Sequence, residues 1–522
     1  MKIMFKNQFK RIGSLAVWAG ILLVSCTNLE ISETDSIFSE SGDGFNGVED
    51  PATSLTNLNN NIRGNLEGQE HLFALTEVST DETLVPTRGT DWGDNGIWRV
   101  LHQHTWTPSH NYVLSTWNQW NQNAFSASEI IDARSNATTE QVAEAKFLRA
   151  FSMFWIMDLY GQVPFREPDE GPEVEPRVLS RTEAYDFILQ DLDDAISGLP
   201  ATGPNNDMTN FAHKSAARFL KARVLLNSGI YSGTGSPDAG ALAEVISLVD
   251  AIKADGFDLQ SGYFELFTPA QDNETIWWVG ASSGNRMWNG LHYNQSHPDQ
   301  AAGGWNGFST LAEFYDLFEG DPNSNYVGDG QEERRGWVPD ATTANDQNYG
   351  FGFGMLIGQQ YNKDGEPLSD RAGNPLVFTK ELPGLVGNNE RTGIRTLKYS
   401  PANGAFVSHQ IIFRYSDAHL MKAEAQYRSG NSAEALMLVN ELRELRGAQD
   451  VASVSDQVLL DERARELYHE MVRRTDMIRF GQYTRDWQFK DPNSVGDANK
   501  ELFPIPSNAL LSNSNLVQNP GY

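Results

Sequence analysis

The sequence TTEQVAEAKFLRAFSMFWIMDLYGQVP at residues 138–164 decides the fold class of this chain. Thr139 and Glu140 give a helix start signal, and Gly161 followed by Pro164 gives a stop signal. Between them, apolar residues recur every three or four positions, which places them on one face of an α-helix. They are Ala143, Phe147, Ala150, Phe154 and Met157. The stretch therefore predicts a long helix packed along one face.

The same periodicity predicts further helices on either side of a central gap. Three predicted helices follow the first and occupy residues 182–198, 212–229 and 240–254. A later group comprises Arg414–Arg428, a helix that Ser432 caps, and a helix from about residue 457 to 480. Short turns, small residues at the crossings and no β-alternation indicate tetratricopeptide-like helical hairpins, although the exact consensus of that repeat is absent. We therefore predict a mainly α fold.

Residues 256–410 have a different composition from the helical segments around them. They are rich in Gly, Asn, Asp, Pro and aromatic residues, and only short pieces such as Thr275–Val279 are typical of strands. A long insertion of loops in a helical scaffold is where recognition sites usually lie. We expect the ligand site here.

The first residues have the pattern of a secretory signal. Four basic residues precede a ten-residue apolar run, Leu15–Val24, which is too short to cross a bilayer. The run leads to Ser25 and Cys26, the only cysteine of the chain. Leu23-Val24-Ser25-Cys26 is similar to a bacterial lipobox, in which the cysteine is acylated and becomes the new N-terminus. We expect lipidation at Cys26 and attachment to a membrane without a spanning segment.

The charge balance excludes two classes of partner. Loss of the four basic residues Lys2, Lys6, Lys10 and Arg11 with the signal changes the net charge from −29 to −33. Binding to nucleic acids or anionic lipid surfaces requires clustered Lys and Arg. The acidity is compatible with neutral polymers, with cations, with a basic partner or simply with solubility.

Several motifs in order along the chain resemble the SusD/RagB family of outer-membrane glycan-binding lipoproteins. The motifs are EAKFLRAF at 144–151, LYGQVP at 159–164, WNGFST at 305–310, MKAEA at 421–425, ERAREL at 462–467, RRTDMIRFG at 473–481, FPIP at 503–506 and QNPGY at 518–522. Each motif is weak alone. Their order and spacing behind a lipobox make the resemblance specific.

The resemblance implies an architecture and a division of the chain. It implies one domain of about four helical hairpins at 51–522, after a signal peptide at 1–25 and a lipidated tether at 26–50. Within it we expect helical scaffold at about 51–255 and 411–480, the insertion at 256–410, and a C-terminal segment at 481–522.

The resemblance also implies a location and a partner. The protein would be anchored in the outer membrane facing the cell exterior, and its helical side would pack on a SusC-like TonB-dependent transporter. Its role would be to bind a polysaccharide or oligosaccharide and to deliver it for nutrient uptake.

The tryptophans are the residues whose chemistry best fits a glycan. Sugars present apolar C–H faces that aromatic rings cover, and neighbouring polar groups bind the hydroxyls. Ten of the 13 tryptophans fall in two windows, Trp92–Trp120 and Trp277–Trp337. The candidate ligand-binding residues are Asp81, Arg88, Asp91, Trp92, Trp288, Tyr293, Trp305 and Trp337. The competing interpretation is that large aromatics belong to the core.

No cofactor is predicted, and the one candidate metal site is for a structural calcium ion. Asp321, Asn323, Asn325, Asp329 and Glu332 have the spacing of an EF-hand loop. Tyr326 occupies the position of the glycine that makes the sharp turn in such a loop, so a solvated acidic loop is the simpler interpretation.

The sequence predicts a binding protein and no enzyme. His469-Glu470 begins a zinc-protease helix motif, but Arg473 replaces its second histidine. His102 and His104 have no third ligand that can be named. Two alternatives stay open: a surface lipoprotein of the same architecture that binds peptides or other nutrients, and a glycoside hydrolase whose paired acids meet only in space.

Overall fold

The computed structural model describes residues 44–171 and 173–522, and α-helices dominate its regular structure. The helices are Pro51–Glu67 (α1), His71–Phe73 (α2), Ile97–His102 (α3), Asn111–Ile131 (α4), Thr139–Tyr160 (α5), Arg181–Gly198 (α6), Lys214–Leu226 (α7), Ser228–Tyr231 (α8), Ala239–Ala254 (α9), Gly284–Asn289 (α10), Ala312–Tyr315 (α11), Tyr415–Arg428 (α12), Ser432–Leu445 (α13), Asp456–Leu467 (α14), Arg473–Arg479 (α15) and Ser507–Ser512 (α16). The prediction of a mainly α fold is confirmed. The predicted signal segment and Cys26 lie outside the described residues.

The strands are short. They are Gln162–Phe165 (β1), Arg177–Ser180 (β2), Thr275–Val279 (β3), Gly336–Trp337 (β4), Phe353–Leu356 (β5), Gly358–Gln359 (β6), Val377–Phe378 (β7), Arg395–Leu397 (β8) and Gln410–Arg414 (β9). They form small antiparallel sheets in which β1 pairs with β2, β3 with β9, β5 with both β4 and β8, and β6 with β7. No helix in the described parts of the chain is long and apolar enough to cross a membrane.

Helix α5 confirms the helix predicted from residues 138–164. Thr138 caps it: its side chain accepts the amide of Gln141 at 3.2 Å, and Gln141 accepts the Thr138 amide at 2.9 Å. Gly161 ends it at φ +72°, in the left-handed conformation that glycine adopts at little cost. Every residue from Phe147 to Tyr160 is buried, so most of the helix has no solvent face. It lies at the centre of the scaffold.

The long helices pack in a row. Helix α1 contacts α4, and the succession continues through α5, α6, α7, α9, α12 and α13, each helix packing on the next. Antiparallel neighbours joined by short turns are what tetratricopeptide-like hairpins consist of, and each layer buries the apolar stripe of the one before. The scaffold is therefore a layered stack of helices.

The helix predicted for residues 457–480 is two helices in the structure. Helix α14 ends at Leu467 and α15 begins at Arg473, and between them His469 and Met471 have φ of +60° and +61°. The amide of His469 donates to Glu82 at 2.6 Å, and that of Met471 donates to Glu77. Two distant carboxyl groups therefore satisfy amides that a continuous helix would bond internally.

Buried ion pairs join α14 and α15 to the rest of the scaffold. Arg463 contacts Asp476 at 2.7 Å and Asp417 at 2.8 Å, and Glu462 contacts Arg443 at 2.7 Å. All of these side chains are at most 6% exposed. The charged residues of α14 and α15 therefore form a buried ion-pair network, and removal of one partner would leave a buried charge unpaired.

The segment between α9 and α12 has its first and last strands side by side. Strand β3 near its start pairs with β9 at its end, with Thr275 opposite Arg414. The segment has a small hydrophobic core of its own. That core comprises Met287, Trp288, Leu291, Val338, Phe351, Leu356, Leu376, Phe378, Leu397, Ala405 and Val407. The loops of the insertion are consequently fixed on a packed base.

Candidate functional site

A tight turn after the first helices projects two of the predicted site residues. The backbone of Arg88 and Asp91 is joined by hydrogen bonds of 3.0 and 2.9 Å, and Gly89 between them has φ +60°. The Arg88 side chain points inward, where it donates to the Asn306 carbonyl at 2.9 Å and to the Ser309 hydroxyl at 2.7 Å. Arg88 therefore anchors the turn to the insertion, and Asp91 and Trp92 follow it outward.

The Trp92 ring is fixed in a half-buried position. Its indole nitrogen donates to the Trp305 carbonyl at 2.7 Å, and its ring meets that of Trp98 edge to face at 6.2 Å between centroids. Gly307 lies against the other part of the ring, so close that a β-carbon there would be 2.7 Å from it. Trp92 has φ +60°, a conformation uncommon outside glycine. The ring is held before any ligand arrives.

Asp91 joins the turn to two residues of the insertion. Its Oδ2 accepts the Tyr293 hydroxyl at 2.7 Å and the Arg371 guanidinium at 2.8 Å. The hydrogen bond from Tyr293 is the main reason that the pKa of Asp91 is below its ordinary value. Arg371 also lies over the Tyr293 ring, 3.9 Å from its centroid, in a cation–π contact.

Glu390 completes the arrangement. It accepts from the Arg371 side chain at 2.6 Å and from the His292 ring at 3.0 Å. We call the partly exposed residues Asp91, Trp92, Tyr293 and Trp305, together with the exposed Arg371, the aromatic platform. Three chain segments, around residues 92, 293–305 and 371, contribute to it.

The aromatic platform contains four of the eight predicted residues, and Arg371 is an addition. Asp91, Trp92, Tyr293 and Trp305 are all partly exposed. Nothing in the sequence pattern distinguishes Arg371, which lies in a polar turn and is 51% exposed. Its position over Tyr293 depends on tertiary packing alone.

Three other predicted residues are buried, which corrects the expectation that they face a ligand. Asp81 is 2% exposed and is paired with Arg473 and Arg485, each at 2.7 Å. Arg88 is 2% exposed because it anchors the turn. Trp288 is fully buried in the core of the insertion, and its indole donates to the Ala405 carbonyl at 2.9 Å. The polar groups of these three side chains bind other residues of the protein and are not available to a ligand.

The eighth residue, Trp337, lies in a different cleft. This cleft measures about 280 Å³, and Phe264, Val327 and Phe353 line it together with Trp337. The Trp337 ring packs at 5.5 Å on that of Phe353. The cleft includes none of the residues of the aromatic platform.

The five residues with EF-hand spacing have protein partners. Asn325 is buried and donates to the Arg335 and Met355 carbonyls at 3.2 and 2.7 Å. Asp329 accepts from Ser324 and Tyr326, each at 2.6 Å, and Glu332 contacts Arg334 at 3.1 Å. The other two, Asp321 and Asn323, belong to the same turn. Within residues 44–171 and 173–522, no group of three or more His, Cys, Asp or Glu could bind a metal ion.

Comparison with known proteins places the chain in one family. A family model described as "SusD family" matches residues 273–522, and one described as "Susd and RagB outer membrane lipoprotein" matches residues 90–228. The starch-binding protein SusD of Bacteroides thetaiotaomicron is 28% identical over 511 residues, covering 88% of each chain.

Solved structures have the same fold. A laminarin-binding SusD-like protein superposes with a TM-score of 0.66 at 20% identity, over 92% of this chain and 100% of that one. Surface glycan-binding protein A from Bacteroides fluxus superposes with a TM-score of 0.64 at 18% identity, over 91% of this chain and 100% of that one. The two family models together cover most of the described residues, and the helical scaffold is shared. This chain belongs to the SusD/RagB family.

Proposed function

We propose that this chain is a cell-surface lipoprotein that binds a neutral glycan at the aromatic platform and passes it to a TonB-dependent transporter. The observation that carries the proposal is the convergence of Asp91, Trp92, Tyr293 and Arg371 on one partly exposed surface, where the Trp305 carbonyl binds the Trp92 ring. Rings that cover C–H faces, beside carboxylate and guanidinium groups that bind hydroxyls, are the chemistry that a sugar requires.

The charges around the platform favour an uncharged ligand. The cation of the platform, Arg371, contacts two carboxylates, Asp91 at 2.8 Å and Glu390 at 2.6 Å. Two carboxylates therefore surround this one guanidinium, and acidic residues also outnumber basic ones in the whole chain, whose net charge is −29. A uronate or a sulfated glycan would be repelled by this surface, whereas a neutral chain would not.

The same carboxyl groups favour binding without hydrolysis. A glycosidase needs one acid whose pKa is raised so that it can donate a proton. At the platform, the Tyr293 hydrogen bond lowers the pKa of Asp91. Burial alone would raise the pKa of Glu390, but Arg371 and His292 lower it below its ordinary value. The names of the starch-binding and laminarin-binding relatives support the same conclusion.

Surface anchoring and delivery rest on the family and on the first residues of the chain. One of the matching family models describes outer membrane lipoproteins, and Cys26 follows a lipobox-like sequence. Delivery requires release, which a site of a few stacked rings allows. Each ring contributes about 0.5–1.5 kcal/mol beyond area burial, so we expect a Kd between roughly micromolar and millimolar.

Affinity electrophoresis tests the binding site. Protein lacking residues 1–26 is run through gels that contain starch, laminarin, xylan, mannan or alginate. We expect retardation by at least one neutral polymer without release of reducing ends. Trp92→Ala should weaken the retardation by about tenfold or more, because it removes one face of the platform.

Trp337→Ala is the matched control, since it removes an equally large half-exposed ring from the separate cleft. It should migrate like the wild type. If Trp92→Ala were retarded as strongly as the wild type, the platform would not be the site. Release of reducing ends by the wild type would show that the protein is an enzyme.

A further inference from the structure

We infer that the glycan site continues from the aromatic platform into a second cleft, so that the protein binds an internal stretch of an extended neutral chain and not a chain end. The inference rests on the proposed function and adds a second subsite to it. We call this cleft the tyrosine cleft. Its lining includes Asn294, His297, Tyr349, Tyr361, Lys363 and Leu368.

The tyrosine cleft has the volume and the walls that a sugar unit requires. It measures about 380 Å³ and is open to solvent. The rings of His297 and Tyr349 lie 4.4 Å apart, and Tyr349 stacks on Phe351 at 6.0 Å with 22° between the ring planes. Tyr361 lines the same cleft. The walls are therefore aromatic and supported from beneath.

The base of the cleft is the same packed core that supports the platform. Trp305 of the platform and Tyr349 and Leu368 of the cleft all pack against the hydrophobic core of the insertion. Tyr349 has φ +52°, which is costly for a bulky residue. Its amide donates to the Asn345 carbonyl at 2.8 Å. Both parts of the surface are thus built on one rigid base.

Two chain segments run from the platform into the cleft. Tyr293 belongs to the platform and its neighbour Asn294 to the cleft, while Leu368 lines the cleft and Arg371 belongs to the platform. Three extended residues span at most about 11 Å, so the two parts are adjacent. The Asn294 side chain donates to the Ser369 carbonyl at 2.7 Å and joins the two segments.

The polar groups of the cleft suit hydroxyls of an uncharged chain. The hydroxyls of Tyr349 and Tyr361 make no hydrogen bond to other residues in the described ranges, so they are available to a ligand. The cation at the rim, Lys363, contacts Asp346 at 2.9 Å and Asp364 at 3.2 Å. As at the platform, carboxylates outnumber the cation, which disfavours an anionic glycan.

The glycan site extends from the aromatic platform into the tyrosine cleft and not into the cleft around Trp337. The cleft around Trp337 shares no lining residue with the tyrosine cleft. The aromatic platform and the tyrosine cleft are instead contiguous through residues 293–294 and 368–371. A chain that lies on Trp92 and Tyr293 therefore continues over Asn294 toward Tyr361.

The test compares short and long ligands. Malto-oligosaccharides and laminari-oligosaccharides, each as the trisaccharide and the heptasaccharide, are titrated calorimetrically into wild-type protein and into Tyr361→Ala, Tyr361→Phe and Trp92→Ala. We expect the wild type to bind the heptasaccharide of at least one series more tightly than its trisaccharide. Tyr361→Ala should lower heptasaccharide affinity roughly three- to tenfold, the contribution of one stacked ring, and leave the trisaccharide unchanged.

Tyr361→Phe retains the ring, so it should lose much less heptasaccharide affinity than Tyr361→Ala. If Tyr361→Ala bound the heptasaccharide as tightly as the wild type does while Trp92→Ala bound it more weakly, the second subsite would be overturned. The proposed function would stay in place. Equal losses for both ligand lengths would also overturn the second subsite. If Trp92→Ala binds like the wild type, or if the wild type binds no oligosaccharide and no neutral polymer, the proposed function fails as well.

Discussion

The hydroxyl of Tyr293 donates a 2.7 Å hydrogen bond to Asp91, although 202 positions separate the two residues. Asp91 belongs to a turn that follows the first helices, and Tyr293 belongs to the insertion. Their contact closes the aromatic platform across two parts of the chain. Because Arg371 contacts both residues, the carboxylate, the ring and the guanidinium form one unit.

Tyr293→Phe separates the hydrogen bond from the ring. The variant retains the stacking surface and the contact with Arg371 but loses the bond to Asp91. We expect a loss of glycan affinity of roughly twofold to fivefold from the less ordered platform, and a loss of about tenfold for Tyr293→Ala. Calorimetric titration with the glycan that retards the wild type measures both. Equal losses for the two variants would mean that the ring itself contacts no sugar.

Gly307→Ala tests whether the position of Trp92 matters. A β-carbon at residue 307 would clash first with the side-chain oxygen of the buried Asn289 and would also lie 2.7 Å from the Trp92 ring. The half-exposed Trp92 is the neighbour that is freer to move. We therefore expect a loss of affinity close to that of Trp92→Ala, about tenfold. Thermal unfolding provides the control, and unchanged affinity with an unchanged Tm would show that the ring need not be fixed.

Glu77 and Glu82 form a buried acidic pair beneath the break between α14 and α15. One oxygen of each carboxyl group accepts a backbone amide there, and the other oxygen is buried and makes no hydrogen bond to another described residue. We infer that the two carboxyl groups share a proton. Burial raises the pKa of both, and Glu77 raises that of Glu82 further. Above about pH 4.3, the ordinary value for Glu, the folded state therefore binds more protons than the unfolded state. Stability should fall as the pH rises from there through the raised pKa.

Glu82→Gln should remove this pH dependence. The amide nitrogen of Gln can donate to Glu77, and its oxygen can still accept the His469 amide. We expect the variant to gain about 1 kcal/mol at pH 8 and to show a smaller difference in Tm between pH 5 and pH 8. Glu82→Ala is the contrast, because it leaves the buried amide unpaired and should cost about 1–3 kcal/mol. A steeper pH profile in the Gln variant would contradict the shared proton.

Cys26→Ser tests the anchor. A hydroxyl is not acylated in place of the thiol, and each buried CH₂ of the acyl chains contributes about 0.8 kcal/mol to membrane attachment. We expect the wild-type protein in the membrane fraction and the variant in the soluble fraction, with radiolabelled palmitate incorporated only into the former. Equal partitioning of both proteins with membranes would show that another segment anchors the chain. Deletion of residues 1–26 provides the unanchored reference.

The helical scaffold could be predicted from the sequence because its signals are local. Helix α5 begins beside Thr138 and ends before Gly161, as the capping and stop signals indicate. Helices α6, α7 and α9 begin and end within about three residues of their predicted limits. The break after Leu467 could not be predicted, because Glu77 and Glu82 bind the amides there from sequence separations of 394 and 387 residues.

The candidate site, like the scaffold, could be predicted from the sequence only in part. By itself, the sequence determined the helical fold class, the family resemblance and the kind of side chain to look for, because periodicity and composition can be recognised along the chain. Only the tertiary structure decided which aromatic residues reach solvent: Trp92 is partly exposed, whereas Trp288 is fully buried in a core. Tertiary packing also turns the Arg88 side chain inward, where it binds the Asn306 carbonyl, and places Arg371 over the Tyr293 ring. Exposure and side-chain contacts depend on segments hundreds of residues apart, and no local pattern encodes them.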